Sequence, residues 1–206
     1  MKPVGLLRLL AILLSGLVGG PVAGAAESLR PDADGYLRDW IMLAPLALPP
    51  GAPAGDLLLR DQVKDEAKLK PAAGESVTVS GKTLTWQRVT ASTNYVDLNA
   101  LLKSPNDHVA GYLVTYVVCE ADIPEVTMAV GSNDEGRIYF NGVDIYAFTE
   151  ARPLMVDADK GRVTLKKGVN VIVFKVLNEQ NSWQASMRLL DKTGKPLKGL
   201  TLQLSP

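Results

Sequence analysis

The stretch GYLVTYVVCEA, residues 111–121, sets the strongest limit on the fold. Its two alternating sets, Tyr112, Val114, Tyr116, Val118 and Leu113, Thr115, Val117, Cys119, are both largely apolar. Successive side chains of a strand point to opposite faces, so a strand apolar on both lies in the middle of a sheet whose two faces are covered. The segments around it keep the same period of two. EVTMAV turns Val126, Met128 and Val130 to one side against Thr127 and Ala129, and stops at Gly131. In RIYFNGVDIYAF, Asn141 and Gly142 separate two alternating runs and supply the positive φ angles of a type I′ hairpin turn. GRVTLKKGVNVIVFKVLN repeats the theme around Lys167 and Gly168, and SWQASMRLL adds a last strand from Trp183 to Leu190, before a Thr193, Gly194 turn. Upstream, SGKTLTWQRVT and NYVDLNALL carry the strand pattern back to residue 75.

These runs predict about eight strands, with turn signals about every 8–12 residues, the pattern of an all-β sandwich or barrel. A βαβ arrangement fails because no long helical stretch separates the strands. The stretch before residue 75 is irregular. Trp40–Leu43 reads as one short buried strand ended by Pro45, ALPPGAPAGD reads as an extended loop, and a helical turn or two fits between Leu57 and Leu69.

The chain opens as exported proteins do. Lys2 and Arg8 precede an apolar run from Leu9 to Val18, and Ala23, Gly24, Ala25 satisfy the small-residue cleavage rule. Residues 1–25 are therefore expected to be a signal peptide, 26–34 a linker and 35–206 one domain; an uncleaved anchor is the other reading, but its run is shorter than the roughly 20 residues a span needs. The 206 residues carry 22 basic and 22 acidic side chains, and loss of Lys2 and Arg8 leaves the chain faintly acidic. No basic stripe suits a phosphate backbone, so nucleic acid is not an expected partner. Cys119 is the only cysteine, which rules out an intramolecular disulfide and leaves stability to the core.

Three motifs resemble those of galactose-binding-like jelly-roll domains, whose close relatives include sandwich modules attached to secreted bacterial glycosidases. They are GSNDEGRIYFNG, LKKGVNVIVFKV and NSWQASMRLLDKTGKPL, within roughly residues 109–199. One departure is Glu135, inserted between the Asp and the Gly of the first motif. The resemblance implies an antiparallel jelly-roll β-sandwich, and a non-catalytic module that binds carbohydrate or packs against a neighbour.

The polar knot Ser132–Gly136 admits two readings. As a turn, Asn133 and Asp134 close hydrogen bonds on their own backbone and Gly136 supplies a permissive φ. As a site, Asn133, Asp134 and Arg137 offer the complementary donors and acceptors that vicinal sugar hydroxyls require. The loop NEQNS places Asn178 and Gln180 near Trp183, whose ring could stack on a sugar face, although a Trp opening the last strand also suits a core. Calcium takes six to eight oxygens, more than this knot supplies, and no metal or cofactor is expected. Asn141 and Asn170 read as turn formers. His108 is the only histidine, and neither a G-x-S-x-G nor an H-E-x-x-H pattern occurs, so no enzyme is expected. The leading expectation is an exported, periplasmic or extracellular glycan-recognising module; the alternative is a structural or protein-interaction sandwich of the cell envelope with no small ligand.

Overall fold

The computed structural model describes residues 28–206; the expected signal peptide lies outside them. Thirteen strands follow one another: β1 (Asp39–Ala47), β2 (Ser76–Val79), β3 (Lys82–Thr85), β4 (Gln87–Thr90), β5 (Val96–Asp97), β6 (Val109–Cys119), β7 (Ile123–Asn133), β8 (Gly136–Phe140), β9 (Val143–Phe148), β10 (Asp159–Leu165), β11 (Gly168–Asn178), β12 (Gln184–Leu190) and β13 (Thr201–Gln203). Two short helices, α1 (Ala54–Leu58) and α2 (Leu98–Leu102), and a 3-10 turn at Glu66–Lys68 complete the elements. The fold is all-β, as the alternation predicts.

The larger sheet runs β4, β1, β6, β11, β8, β9, with β13 pairing β6 beyond the end of β1. The smaller runs β10, β7, β12, β5, and every pairing is antiparallel. β6 lies mid-sheet and ten of its eleven residues are buried. Its alternation divides two cores. Leu113 and Val117 join Val126, Met128, Val130, Met187 and Leu189 between the sheets. Tyr112, Val114 and Tyr116 face the other way, under a cover built from α1, the 3-10 turn and the β2–β3 hairpin through Leu57, Leu58, Val63, Leu69 and Trp86. Both faces of this strand are apolar because the irregular segment before residue 87 closes the second one.

The structure differs from the sequence reading at several joints. SGKTLTWQRVT is not one strand: it opens with the Ser80, Gly81 turn, both residues at positive φ, that joins β2 to β3, and it breaks at Trp86, after which β4 leaves the hairpin to pair with β1. NYVDLNALL bends after two strand residues into α2, whose N-terminus is capped by Asp97 accepting from the Ala100 N–H at 2.9 Å. β1 runs past Pro45, with its register shifting between Leu43 and Leu46, the kind of irregularity that tolerates a residue without an N–H. β7 likewise runs past Gly131 to Asn133. The Lys167, Gly168 turn joins strands of different sheets, since β10 pairs with β7 and β11 with β6 and β8. Asn141 and Gly142 do form the expected hairpin turn, at φ 50° and 83°.

Candidate functional site

The knot and the NEQNS loop meet at one end of the sandwich. Asp134 donates its N–H to Leu177 O at 3.1 Å, Leu177 donates back to Glu135 O at 3.0 Å, and the Glu179 N–H reaches Asp134 Oδ2 at 2.9 Å. Inside the knot, Ser132 Oγ donates to Asp134 O at 2.9 Å. Gly136 is required by the closeness of this packing, because a Cβ there would stand 2.9 Å from Ser132 Oγ and 3.1 Å from the Phe174 ring. His108 completes the rim from the loop before β6, donating its N–H to Glu179 O at 3.1 Å.

Most of the polar groups expected to meet a ligand are turned inward. Asp134 and Asn178 are buried, and Asn178 Nδ2 donates to Asn106 O at 2.6 Å. Trp183 is fully buried, which corrects its reading as a contact surface: the ring lies over Gly111 of β6 and against Leu98, so close that a Cβ on Gly111 would meet Cζ2 at 2.7 Å. Two expected contacts remain outside, Gln180 exposed and Asn133 in part. Polar composition marked a loop; it did not say whether the following Trp faced out or in.

Arg137 is elsewhere, on the cover face of the large sheet. Its Nη2 donates to Asp144 Oδ2 at 2.7 Å and its Nη1 to Leu59 O at 2.9 Å. Next to it across the sheet stands Lys175, in register with both Arg137 and Tyr112. Lys175 is completely buried; Nζ donates to Leu58 O at 2.9 Å and Arg60 O at 2.6 Å and pairs with Glu66 at 3.1 Å. Glu66, also completely buried, accepts from Tyr139 Oη at 2.6 Å and from Tyr112 Oη. Burial lowers the Lys175 pKa while Glu66 opposes the shift, and burial raises those of both tyrosines, helped by the charge of Glu66 and by the hydrogen bond each donates to it. This clamp fixes the 54–69 cover to the sheet. Lys175 interrupting an apolar run was its one visible signal in the sequence; Glu66, in a charged stretch, had none.

The knot also holds carboxyls away from water. Burial raises the Asp134 pKa against the Glu179 N–H bond, and burial with the neighbouring Glu179 carboxyl carries Glu135 up to about 7. Glu135 Oε2, Asn133 Oδ1 and Asn178 Oδ1 are buried without a protein hydrogen-bond partner. Among the described residues no three His, Cys, Asp or Glu side chains stand together as metal ligands. Glu135, 1% exposed, can hold a proton near neutrality but cannot touch a substrate in this conformation.

The open concavity lies on the cover face instead. A groove of about 690 Å³ is lined by Lys68–Lys70, Tyr116, Val169, Val171, the Asn141, Gly142 turn and Pro206, and Lys68 lies against that turn, its Cγ 3.9 Å from where a Gly142 Cβ would stand. Val169 and nearby Val143 are exposed apolar side chains, at 46% and 62%. The Asn141 amide is already engaged, Nδ2 to Asn170 Oδ1 at 3.0 Å and Oδ1 from the Val171 N–H at 2.8 Å. The expected turn-forming role of Asn141 and Asn170 is thus met by direct bonds. No protein-family model matches this chain, and no curated protein matches it.

Proposed function

We propose that the domain is a non-catalytic β-sandwich that recognises a protein partner, the alternative of the two expectations drawn from its sequence. One observation carries this reading: the knot and the 178–183 loop bond to each other and Trp183 is buried over Gly111, while an open, largely apolar groove lies on the other face of the large sheet. A saccharide needs several directed hydrogen bonds and usually an aromatic platform. The expected platform, Trp183, is buried, and of the expected polar contacts only Gln180 is exposed and Asn133 partly so. The leader read in residues 1–25 makes the cell envelope or its exterior the expected meeting place. Among the described residues no helix is long and apolar enough to cross a membrane.

A glycan reading has one specific feature in its favour, away from the knot. A depression of about 340 Å³ is lined by Thr93, half-exposed Tyr95 and Asp97, an aromatic beside hydroxyl and carboxylate groups. The full chain should be screened on a broad glycan array beside Gln180→Ala and Tyr95→Ala. The protein-partner reading expects no retained glycan. Binding that one folded variant loses would overturn it and locate the sugar at the corresponding surface.

A further inference from the structure

The rim gathers the carboxyls of Asp134, Glu135 and Glu179. Glu135 is 1% exposed, and its Oε2 is buried without a protein partner. The Glu179 carboxyl lies within hydrogen-bonding reach of the Glu135 carboxyl, and Asp134 adds a second negative charge. None of the three has an ion-pair partner among the described residues. The cations on the neighbouring elements are committed elsewhere. Arg152, from the connection between β9 and β10, gives Nη2 to Ser132 Oγ at 3.3 Å and to Tyr146 Oη at 3.0 Å and pairs with Asp159. Arg137 pairs with Asp144, and Lys175 with Glu66. On the loop before β6, Asp107 Oδ1 accepts from the Asn181 N–H at 3.0 Å, and His108 Nε2 lies 3.4 Å from Pro49 O.

The 178–182 loop is pinned at two points and held more lightly between them. Asn178 Nδ2 donates to Asn106 O at 2.6 Å. Asn181, at φ 68°, is bonded on both sides, its N–H to Asp107 and its carbonyl from Asn99 Nδ2 at 2.8 Å. Glu179 and Gln180 form the exposed tip between these posts. The tip meets the rim through two backbone groups, the Glu179 N–H on Asp134 Oδ2 and the Glu179 carbonyl under the His108 N–H, and through the Glu135 carboxyl.

We propose that the rim is a pH-sensitive latch, in which one proton shared by the Glu135 and Glu179 carboxyls closes the Glu179, Gln180 tip over the knot, and its loss lets the tip swing out. Two carboxyls bond to each other only while one of them holds a proton; two carboxylates accept and repel. Once ionised, Glu135 is a buried charge with no cation and an unpartnered oxygen, and water reaches it most readily where the exposed tip gives way. The sheets stay in place, because Asn178 and Asn181 hold the ends of the loop. Burial and the two negative neighbours carry the Glu135 pKa up to about 7, so the latch is closed in weak acid and opens as the pH rises through that value. Opening turns a closed network into an acidic notch of Asp134, Glu135 and Glu179. The latch is independent of the protein-partner reading.

The test is ¹⁵N relaxation of the labelled full chain between about pH 5.5 and about pH 8.5. Order parameters of the Glu179 and Gln180 amides should fall from a rigid level of about 0.85 to about 0.6 or below, while those of Leu113 and Phe174 in the sheet stay rigid. The midpoint should lie at about 7. Glu135→Gln, whose carboxamide donates to Glu179 at either end of the range, should hold the tip rigid throughout. Glu179→Ala, at an exposed position, should keep the fold and lower the midpoint by about one pH unit or more. A tip equally ordered at both ends overturns the latch, as does a midpoint that Glu179→Ala leaves unmoved. A transition that survives Glu135→Gln and vanishes in His108→Gln overturns it in favour of the histidine. Loss of order in β6 and β11 together with the tip overturns it too, because the change is then unfolding of the domain.

Discussion

The rim around the knot and the groove beside Lys68 and Lys70 differ in opposite ways from what their sequences suggest. The knot is dense in groups that bind ligands, yet Asp134, Glu135, Asn178 and Trp183 all end in the interior. The groove comes from unremarkable residues in an irregular segment and a hairpin turn, yet it is open and largely apolar, with Lys68 and Lys70 among its lining residues. The knot commits Ser132 Oγ and Asp134 Oδ2 to nearby backbone, and it still leaves Glu135 Oε2, Asn133 Oδ1 and Asn178 Oδ1 buried without a protein partner, where an unpaired polar group costs about 1–3 kcal/mol.

The sharpest way to break the comparison is to cut the supports beneath each region. Trp183→Ala, a large buried ring removed from beside Gly111, should cost about 3–5 kcal/mol in urea unfolding. A cost within about 0.5 kcal/mol would mean the ring is on the surface after all. Lys175→Met takes the nearer of two cations from buried Glu66, leaving Arg137 Nη1 at 3.8 Å, and should cost about 3 kcal/mol. Adding Glu66→Gln in the same chain should recover part of that loss, because the under-compensated buried charge goes too.

Smaller effects separate the rim's interior from its edge. Asp134→Ala removes the acceptor of the Glu179 N–H and should cost about 1–3 kcal/mol. Glu135 gives the knot a pH signature. Its carboxyl is held at about 7 against 4.5 in a free chain, so the folded state keeps a proton that the unfolded state releases. Stability should then fall as pH rises through the interval from about 5 to about 7 and level off above it, and Glu135→Gln should flatten that slope in thermal melts. Least affected should be Gln180→Ala and the pair Lys68→Ala, Lys70→Ala, whose folding stability should stay within about 0.5 kcal/mol of the parent. A loss beyond that in the lysine pair would make the groove wall structural.

The sandwich was legible from Tyr112 to Leu190 because alternation reports directly on which face a strand buries. β6 even announced, by being apolar on both faces, that something covers the large sheet. What covers it was not legible: α1, the 3-10 turn and β2–β3 are too short to show a period, and their partner is the sheet surface itself. Trp183 was ambiguous for a related reason, since NEQNS describes the loop before the ring and not the Gly111 gap that receives it. Glu66 found its partners 46, 73 and 109 positions away, in Tyr112, Tyr139 and Lys175, distances at which local pattern carries no information.

The most direct test of the contrast is native-state hydrogen exchange read amide by amide. The Asp134, Leu177 and Glu179 N–H groups, which tie the knot to the end of β11, should exchange among the slower amides of the protein, while the Val169 N–H exchanges fast. Knot amides that exchange as fast as Val169 would contradict the account, because the knot would then be an open loop and its polar groups free to meet a ligand.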